Sequence, residues 1–346
     1  MKMLTAQESP QYVQTSLAGA ICLGMEKGRF MPQSKCKCLN LLLTYKNGCA
    51  ASCSYCGLSR NRCADSSKTF IRVKWPTYAL EDILARVEAG NHPFKRVCVS
   101  MITHRHSVDD TCQVIEPVRA RTGLPVSALV APTVMKIPDD LYRLKAAGAD
   151  RIGVAIDAAT RPLFEEHRGA GVRGPHRWEV FWNTLAAAAE IFGPYRAGIH
   201  LIVGLGETEE EMVAAINLAY RMGALTHLFS FYPEDGSVLY GHPQPPLGQY
   251  RRIQMARHLI NEGITGIEAM NFSPAGRIID FGVDIQPYLG KGEAFMTSGC
   301  PGEDGQVACN RPFGNERASE PMRNYPFVPG TEGLGIIIPQ LWDGVE

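Results

Sequence analysis

Short apolar runs alternate with amphipathic helical stretches between residues 39 and 275, and this alternation limits the folds that the chain can adopt. The runs that predict buried strands occupy residues 39–45, 96–101, 126–130, 151–156, 198–203, 227–231 and 266–270. A strand followed by a helix, repeated many times, indicates a parallel sheet with crossover helices. About seven such strands favour an α/β fold of the (β/α) TIM-type barrel, partial or full, over an open doubly wound sheet.

Two segments lie outside this alternation. Residues 1–38 precede the first predicted strand, and residues 276–346 are rich in Gly, Pro, Asn and Arg with little apolar periodicity. The sequence therefore predicts three parts: an N-terminal extension, a barrel over residues 39–275, and an irregular C-terminal tail. Both end segments carry cysteines.

Charge and cysteine content narrow the function classes. Thirty-five basic and 35 acidic side chains give a formal net charge of zero, so a basic nucleic-acid-binding surface is not implied. The sequence has neither an apolar run long enough to span a bilayer nor the apolar core of a signal peptide, so we expect a cytoplasmic protein. Eleven cysteines in a reducing compartment indicate metal or redox chemistry in preference to disulfides.

Three of the cysteines form a compact motif. Cys49, Cys53 and Cys56 follow the spacing C-x₃-C-x₂-C in the loop after the first predicted strand. Loops at the carboxyl ends of parallel strands carry the active sites of barrels. Three thiolates can bind three irons of a cubane cluster and leave the fourth iron open to a further ligand. A zinc site, or three buried cysteines that bind nothing, is the alternative.

The motif, with Tyr55 before its last cysteine, resembles the signature of the radical S-adenosylmethionine (SAM) superfamily, and the resemblance covers about residues 39–275. It implies that Cys49, Cys53 and Cys56 hold a catalytic 4Fe–4S cluster. In that superfamily the methionyl amine and carboxylate of SAM bind the open iron, and one electron from the cluster releases a 5′-deoxyadenosyl radical. Tyr55 is accordingly expected beside the cofactor.

The same resemblance implies further cofactor contacts after later strands. Ser100 occupies the position where the family binds the methionyl amine, although the usual Gly-Gly-Glu is replaced here by Ser-Met-Ile-Thr. Asp157 matches an acidic residue that binds the ribose, or else caps the next helix. Gly204 and Glu207 belong to Gly-Leu-Gly-Glu-Thr, which is similar to biotin and lipoyl synthases. Arg60 is a candidate partner of the methionyl carboxylate, or a surface arginine.

Four other cysteines predict a second cluster. Cys36 and Cys38 precede the first strand, whereas Cys300 and Cys309 lie in the tail. Together they would complete an auxiliary 4Fe–4S site that ties the two ends of the chain to each other. A structural zinc or incidental thiols are the alternatives. The remaining cysteines are expected to be packing residues; they are Cys22, Cys63, Cys98 and Cys112.

Taken over the whole chain, these motifs and the tail sequence SGCP…CNRPFGNE resemble the two-component lipoyl synthases. That resemblance implies sulfur insertion into a protein-bound octanoyl chain, with the auxiliary cluster as sulfur donor. It further implies an octanoylated lipoyl carrier protein, a sister subunit, and ferredoxin or flavodoxin as electron donor. Ser298 and Ser319 are possible non-thiolate ligands. The alternatives are a biotin-synthase-like enzyme acting on a small molecule and a non-catalytic iron–sulfur or zinc protein.

Overall fold

The computed structural model describes residues 7–31, 33–63, 69–310 and 320–343. Its main sheet has eight strands in the order β3-β1-β2-β4-β5-β6-β7-β8. In chain order these strands are β1 (Tyr12–Thr15), β2 (Cys38–Leu43), β3 (Thr77–Ala79), β4 (Arg96–Ser100), β5 (Val126–Val130), β6 (Ala149–Asp157), β7 (Ala197–Val203) and β8 (Ala224–Ser230). From β2 to β8 every neighbouring pair in this order is parallel, as the strand–helix alternation predicts.

The described residues form helices between the parallel strands, over residues 80–221, and further helices before and after them. They are α1 (Leu17–Cys22), α2 (Leu80–Glu88), α3 (Ser107–Thr122), α4 (Asp139–Ala147), α5 (Arg161–His167), α6 (Trp178–Phe192), α7 (Glu209–Arg221), α8 (Leu247–Asn261), α9 (Gln286–Leu289) and α10 (Thr331–Leu341). The capping box predicted at the start of α7 forms, since Thr208 and Glu211 each bond to the other's backbone N–H. Within the described residues, no helix is both long and apolar enough to cross a membrane.

The barrel is partial. The prediction of a seventh strand at residues 266–270 is wrong, because Ile267–Ala269 form a 3₁₀ helix. The two following residues, β9 (Asn271–Phe272), pair with β10 (Ile278–Asp280) in a separate hairpin. The run Gly-Ile-Glu-Ala-Met contains a glycine and an exposed glutamate, which suit a turn better than a buried strand. In the described chain the main sheet therefore ends at β8, with six parallel strands.

The N-terminal extension and the tail complete the sides of this partial barrel. β1 pairs antiparallel with both β2 and β3 at one edge of the sheet. At the other edge, the Leu228 N–H of β8 donates to Ser298 Oγ at 3.1 Å. Asn310 then binds the Lys37 N–H at 3.0 Å and the Lys35 carbonyl at 2.9 Å, just before β2. Residues 298–310 therefore bridge the open side of the barrel.

The tail is more regular than its composition predicts. α10 contains three consecutive isoleucines, of which Ile337 is fully buried. Arg252 of α8 donates to the Leu341 carbonyl at 2.8 Å and forms a buried ion pair with Glu209 of α7 at 2.6 Å. The last described helix is thereby packed on α8, within the same hydrophobic core as the barrel.

Alternate side chains of the strands point into the barrel, because successive residues of a strand face opposite sides. Because the strands are paired in register, inward-pointing side chains of neighbouring strands lie at the same height along the barrel and form layers. Cys38 pairs with Arg96 nearest the amino ends of the strands, and Asn40 pairs with Cys98 one layer higher. Cys98 in turn pairs with Ser127 of β5. Polar and sulfur-bearing side chains therefore occupy the floor of the barrel.

Candidate active site

A cavity of about 280 Å³ lies inside the barrel and is lined by two sets of cysteines. Cys49, Cys53 and Cys56, here called the upper thiol group, lie at its carboxyl end. Its floor is formed by Cys98, Cys300 and Cys309, which with the adjoining Cys38 we call the lower thiol group. The six residues of β2 that separate the two ends span about 20 Å at the usual rise per residue.

The upper thiol group belongs to one loop, so its members are neighbours by sequence alone. Backbone N–H groups of Ala51 and Leu58 donate to the sulfurs of Cys49 and Cys56, each at 3.4 Å. Burial raises the pKa of Cys53 and Cys56, and the charges of the neighbouring thiolates raise that of Cys56 further. Three thiolates in one loop repel one another, and a bound cationic centre such as iron would relieve that repulsion.

The cysteine loop is fixed from two sides through His167. Ser54 Oγ bonds to His167 Nδ1 at 3.0 Å, and the Ser54 N–H donates to the His167 carbonyl at 2.9 Å. The other ring nitrogen of His167 bonds to the Leu205 carbonyl at 3.1 Å. His167 thus links the cysteine loop to the glycine-rich turn after β7.

Beside Cys53 lies a buried group of Asp157, Tyr55 and Arg168. The Tyr55 hydroxyl donates to Asp157 Oδ2 at 2.5 Å, and Arg168 Nη1 lies 3.3 Å from the same oxygen. Burial opposes the charge of Arg168, but Asp157, Tyr55 and Cys53 outweigh it and raise the pKa of the guanidinium. Asp157 adopts φ +66°, a left-handed conformation that costs a non-glycine residue energy.

This arrangement removes the helix-cap interpretation of Asp157. The side chain that caps α5 is Thr160, whose Oγ1 accepts the Leu163 N–H, so Asp157 is not the helix cap. Its carboxylate lines the cavity instead. The burial of Arg168 could not be predicted from the sequence, since it follows α5 in an ordinary Arg-Gly-Ala-Gly stretch.

The other predicted cofactor residues are divided between the cavity and its surroundings. Ser100 lines the cavity at the end of β4. The described residues that line the cavity do not include Gly204, Glu207 or Arg60. Glu207 folds back to accept the N–H groups of Gly204 and Leu205 at 2.7 and 3.0 Å.

Two of these residues shape the walls around the site. Gly204 has φ +106°, and a side chain on it would come within 2.7 Å of Pro245. Burial raises the pKa of Glu207 to about 7. Arg60 is exposed and clamps two loops, with Nε donating to Ser52 Oγ at 3.1 Å and Nη2 to the Arg173 carbonyl at 2.5 Å. The surface alternative for Arg60 therefore describes its position better than a contact with cofactor.

The lower thiol group is assembled from distant parts of the chain. Asn40 of β2 points its amide nitrogen at Cys38 Sγ (3.6 Å) and Cys309 Sγ (4.0 Å). The hydrogen bond with Cys309 and burial raise the pKa of Cys38. For Cys98, burial and the charges of Cys309 and Cys300 raise the pKa. Cys98, which the sequence predicts to be a packing residue, thus lies with three predicted ligands.

Cys36 lies near Cys38, whose pKa its charge helps to raise, but its thiol has other hydrogen-bond partners. Its thiol donates to the Cys38 carbonyl at 3.3 Å. A hydrogen bond between the thiols of Cys36 and Cys22 lowers the pKa of Cys22, the last residue of α1. The side chain of Cys36 is therefore engaged with the backbone and with α1.

A hairpin holds Cys300 and Cys309 together. The N–H groups of Ala308 and Cys309 both donate to the Cys300 carbonyl at 3.0 Å, and Pro301 pairs with Val307. The eight residues between the two cysteines therefore fold back on themselves. Ser298 lines the same end of the cavity, whereas Ser319 lies outside the described residues.

A buried arginine lies next to the lower group. Arg96 is 1% exposed and donates to Asp150 at 2.6 and 2.8 Å, to Ser127 at 2.8 Å and to the Pro301 carbonyl at 2.5 Å. Although burial disfavours its charge, Asp150 and the thiols of Cys300 and Cys38 raise its pKa. This cation favours an anionic group among the four sulfurs.

Both thiol groups consist of cysteines, whose thiolates are the usual ligands of iron–sulfur clusters. Over the described ranges, no three His, Cys, Asp or Glu side chains are gathered closely enough to hold one ion. A zinc ion with four thiolates would need their sulfurs within about 4 Å of one another. A cubane cluster is a larger body, whose thiolates stand further apart around it.

Comparison with known proteins agrees with this donor set. A family model described as "Radical SAM superfamily" matches residues 43–219, which is just over half of the chain. The chain belongs to the radical SAM superfamily. Membership makes it a radical SAM enzyme and implies a 4Fe–4S cluster and SAM, which suit Cys49, Cys53, Cys56 and the cavity beside them.

More specific similarities are weaker. Two biotin synthases of Streptococcus agalactiae, from serotypes III and V, are each 26% identical to this radical SAM protein over 216 residues. The match covers 61% of this chain and 58% of each relative, so the chain spans under two thirds of their length.

Solved structures with a similar fold include two radical SAM proteins. Methylornithine synthase (PylB) has a TM-score of 0.48 at 13% identity, with coverage of 66% of this chain and 64% of that protein. The SAM methyltransferase TsrM of Kitasatospora setae has a TM-score of 0.40 at 15% identity, with coverage of 82% and 57%.

Proposed function

We propose that this radical SAM enzyme inserts sulfur into an octanoyl chain carried on a protein, as a lipoyl synthase component. The observation that carries the proposal is the cavity that reaches from the upper thiol group to the lower one. A reaction that removes hydrogen at one centre and takes sulfur from another needs both to face the same substrate. The lower thiol group would hold an auxiliary 4Fe–4S cluster.

The walls between the two thiol groups suit a saturated acyl chain. They are formed mainly by apolar side chains, among them Leu42, Met101, Leu129, Val130, Ile202 and Phe229. Such a lining stabilises an alkyl chain by removing it from water. It also keeps water and exchangeable hydrogens from a reactive carbon centre. An octanoyl chain entering from the carboxyl end would pass the upper group before it reached the lower one.

The chain's own residues divide the work of binding. Cys49, Cys53 and Cys56 would hold the radical SAM cluster, and Ser100 would bind the methionyl amine of SAM. Arg168 is the buried cation beside Cys53 and is suited to the methionyl carboxylate, while Asp157 and Tyr55 suit hydroxyl groups of the ribose. When bound, the two groups supply a deoxyadenosyl radical at one end of the cavity and a sulfide donor at the other.

Residues outside the cavity would keep this arrangement rigid. Glu207 stabilises the turn after β7 through two backbone N–H groups. That turn reaches the cysteine loop through His167. Gly204 and Glu207 would thus support the cofactor from behind, with any direct contact of Gly204 made by its backbone.

The proposed partners follow from the same reaction. Octanoate attached to a lipoyl carrier protein is the proposed substrate, and a sister subunit would add the second sulfur. Ferredoxin or flavodoxin would supply the electron. In each insertion the electron donor would supply one electron for the cleavage of SAM, and one C–H bond would be broken, with its hydrogen leaving in 5′-deoxyadenosine. The carbon radical would form one C–S bond to a sulfide of the auxiliary cluster, whose bonds from that sulfide to iron would break and whose iron would take up the remaining electron.

The test is anaerobic reconstitution with iron and sulfide, followed by incubation with SAM, a chemical reductant and an octanoylated carrier peptide. We expect 5′-deoxyadenosine together with a peptide whose mass has increased by sulfur. The matched control is the Cys53→Ala enzyme, which should give neither product. Deoxyadenosine formed without any change in peptide mass would contradict the proposed substrate.

A second candidate is sulfur insertion into a free small molecule, which the similarity to biotin synthases favours. It uses the same two thiol groups and differs only in what enters the cavity. Adding dethiobiotin in place of the peptide separates the two candidates. Sulfur gained by dethiobiotin, with the octanoylated peptide unchanged, would favour the small-molecule enzyme.

A further inference from the structure

Cys98 differs from the other cysteines that were expected to be packing residues, because its side chain points into the barrel. It lies in the middle of β4, where cross-strand register places it between Asn40 of β2 and Ser127 of β5. It lines the cavity together with Cys300 and Cys309. The charges of both of these thiols also raise the pKa of Cys98.

Asn40 marks the centre of this group. Its amide nitrogen faces the sulfurs of Cys38 and Cys309, while its cross-strand neighbour is Cys98. A single amide can serve two sulfurs only where both act as acceptors, as thiolates do. Hydrogen bonds of this kind are common around iron–sulfur clusters, where they adjust the reduction potential.

Cys36 is the other candidate for a fourth ligand, and its position argues against it. Its thiol bonds to the carbonyl of Cys38 and to Cys22 of α1. These contacts direct the sulfur of Cys36 to the backbone of β2 and to α1. Among the described residues, the lining of the cavity includes Cys98 and includes neither Cys36 nor Cys38. Cys38 is nevertheless joined to Cys309 through the amide of Asn40, a contact that Cys36 does not share among the hydrogen bonds of Asn40 described above.

We infer that Cys98 supplies the fourth thiolate of the auxiliary cluster, which is then held by Cys38, Cys98, Cys300 and Cys309. Cys36 is a structural thiol outside this centre. The inference rests on the proposed function, which places an iron–sulfur cluster in the lower thiol group. It deepens that proposal by naming the ligand that turns the cluster toward the substrate.

The consequence for the reaction lies in the direction that the cluster faces. Cys98 Sγ is 4.0 Å from Ser100 Oγ, which occupies the next inward position of β4 toward the upper thiol group. A ligand at Cys36 would pull the cluster toward α1 and the outside of the sheet. A ligand at Cys98 draws it into the cavity, so that one of its faces is open to a chain entering from above.

The test counts iron in a chain that retains only the lower centre. In the full-length protein, Cys49, Cys53 and Cys56 are all replaced by alanine, and the reconstituted chain should hold about four irons. Adding Cys98→Ala should lower this to about three or fewer and give the paramagnetic signal of an oxidised three-iron cluster. Adding Cys36→Ala is the matched control, since it removes a buried cysteine near Cys38, and it should leave about four irons.

A conservative variant guards against misfolding of the alanine form. Cys98→Ser retains an oxygen that can bind iron, so we expect a cluster with a shifted paramagnetic spectrum and an unchanged thermal transition of the protein. A spectrum identical to that of the reference chain would overturn the inference. So would loss of iron in the Cys36→Ala form with retention in the Cys98→Ala form.

The same experiment distinguishes the inference from the proposed function. If the chain without the upper cysteines holds neither iron nor sulfide, the auxiliary cluster itself is excluded, and the sulfur-insertion proposal fails with it. If that chain holds about four irons regardless of residue 98, the auxiliary cluster stands and only the role of Cys98 is refuted.

Discussion

The upper and lower thiol groups use the same side chain in two different settings. The upper group lies on one loop, and its three cysteines fall within a stretch of eight residues. The lower group draws on β2, β4 and the tail, so its geometry depends on the register of the sheet and on the position of the tail. Substitutions in the cysteine loop should therefore affect the upper site alone. The lower site, in contrast, should be disturbed by any change that alters the packing of the barrel.

Each group has a buried arginine paired with an aspartate. Arg168 and Asp157 flank Cys53 at 3.3 Å from each other, and Arg96 and Asp150 flank Cys300 at 2.6 Å. The difference is in hydration, since the side chain of Asp157 is 14% exposed and that of Asp150 is 35% exposed. The upper pair is consequently the more sensitive to loss of a partner.

The largest effect that we predict comes from removing the cluster of the upper thiol group while the lower cluster is retained. Cys53→Ala should abolish cleavage of SAM, because the cluster loses one of three ligands, and should lower the iron content from about eight to about four per chain. The measurements are the yield of 5′-deoxyadenosine and anaerobic iron analysis. Exposed Cys63 provides the control variant Cys63→Ala, which should behave as the parent. Undiminished cleavage in Cys53→Ala would contradict the assignment.

Removing the upper arginine tests the sensitivity of its ion pair. Arg168→Leu leaves Asp157 buried without its cation and should lower the free energy of unfolding by roughly 3–5 kcal/mol. Chemical denaturation measures the effect. Arg161 forms an exposed pair with Glu179, so Arg161→Ala should cost less than about 1 kcal/mol. An equal decrease in the free energy of unfolding in the two variants would contradict a larger contribution of the buried pair Arg168–Asp157.

The pH dependence of stability should also arise at the upper end. Burial raises the pKa of Glu207 from 4.5 to about 7. The folded protein therefore holds this proton more tightly than the unfolded chain does, so the contribution to stability is complete at acidic pH and is lost as pH rises through 7. Relative to Glu207→Gln, the parent should lose about 3 kcal/mol between about pH 4 and about pH 8. A difference independent of pH would refute this origin.

At the lower group we expect a smaller, electrochemical effect. Asn40→Leu keeps the size of the side chain but removes the N–H groups that face Cys38 and Cys309. The reduction potential of the auxiliary cluster should become about 50 mV more negative, since one hydrogen bond of about 1 kcal/mol is lost. A redox titration followed by electron paramagnetic resonance measures it, with the upper cluster of the same sample as internal control. An unchanged lower potential would place the amide outside the cluster's surroundings.

The contrast between the two groups also explains how far the sequence could predict the site. Cys49, Cys53 and Cys56 were identifiable because their spacing is local and their loop follows a clear strand. Cys98 was not, because its neighbours come from sheet register and from a tail hairpin. Arg168 was missed for a related reason, since an arginine after a helix gives no sign that it will be buried.

The fold shows the same division between local and non-local information. Strong apolar runs predicted the six parallel strands and their crossover helices, and the parallel sheet is confirmed. The weaker run at residues 266–270 predicted a seventh strand that does not form. Whether a barrel closes depends on what lies beside its last strand. Here that is the segment containing Ser298, which composition alone could not place.

The left-handed backbone conformation at Asp157 restricts which amino acids can replace aspartate during evolution. Valine, isoleucine and threonine are disfavoured because branching at Cβ conflicts with positive φ. Glycine adopts the conformation freely but offers Tyr55 and Arg168 nothing to bind, and asparagine keeps the shape while losing the charge. Aspartate alone meets both demands, so this strand end is expected to tolerate very few exchanges during divergence of the enzyme.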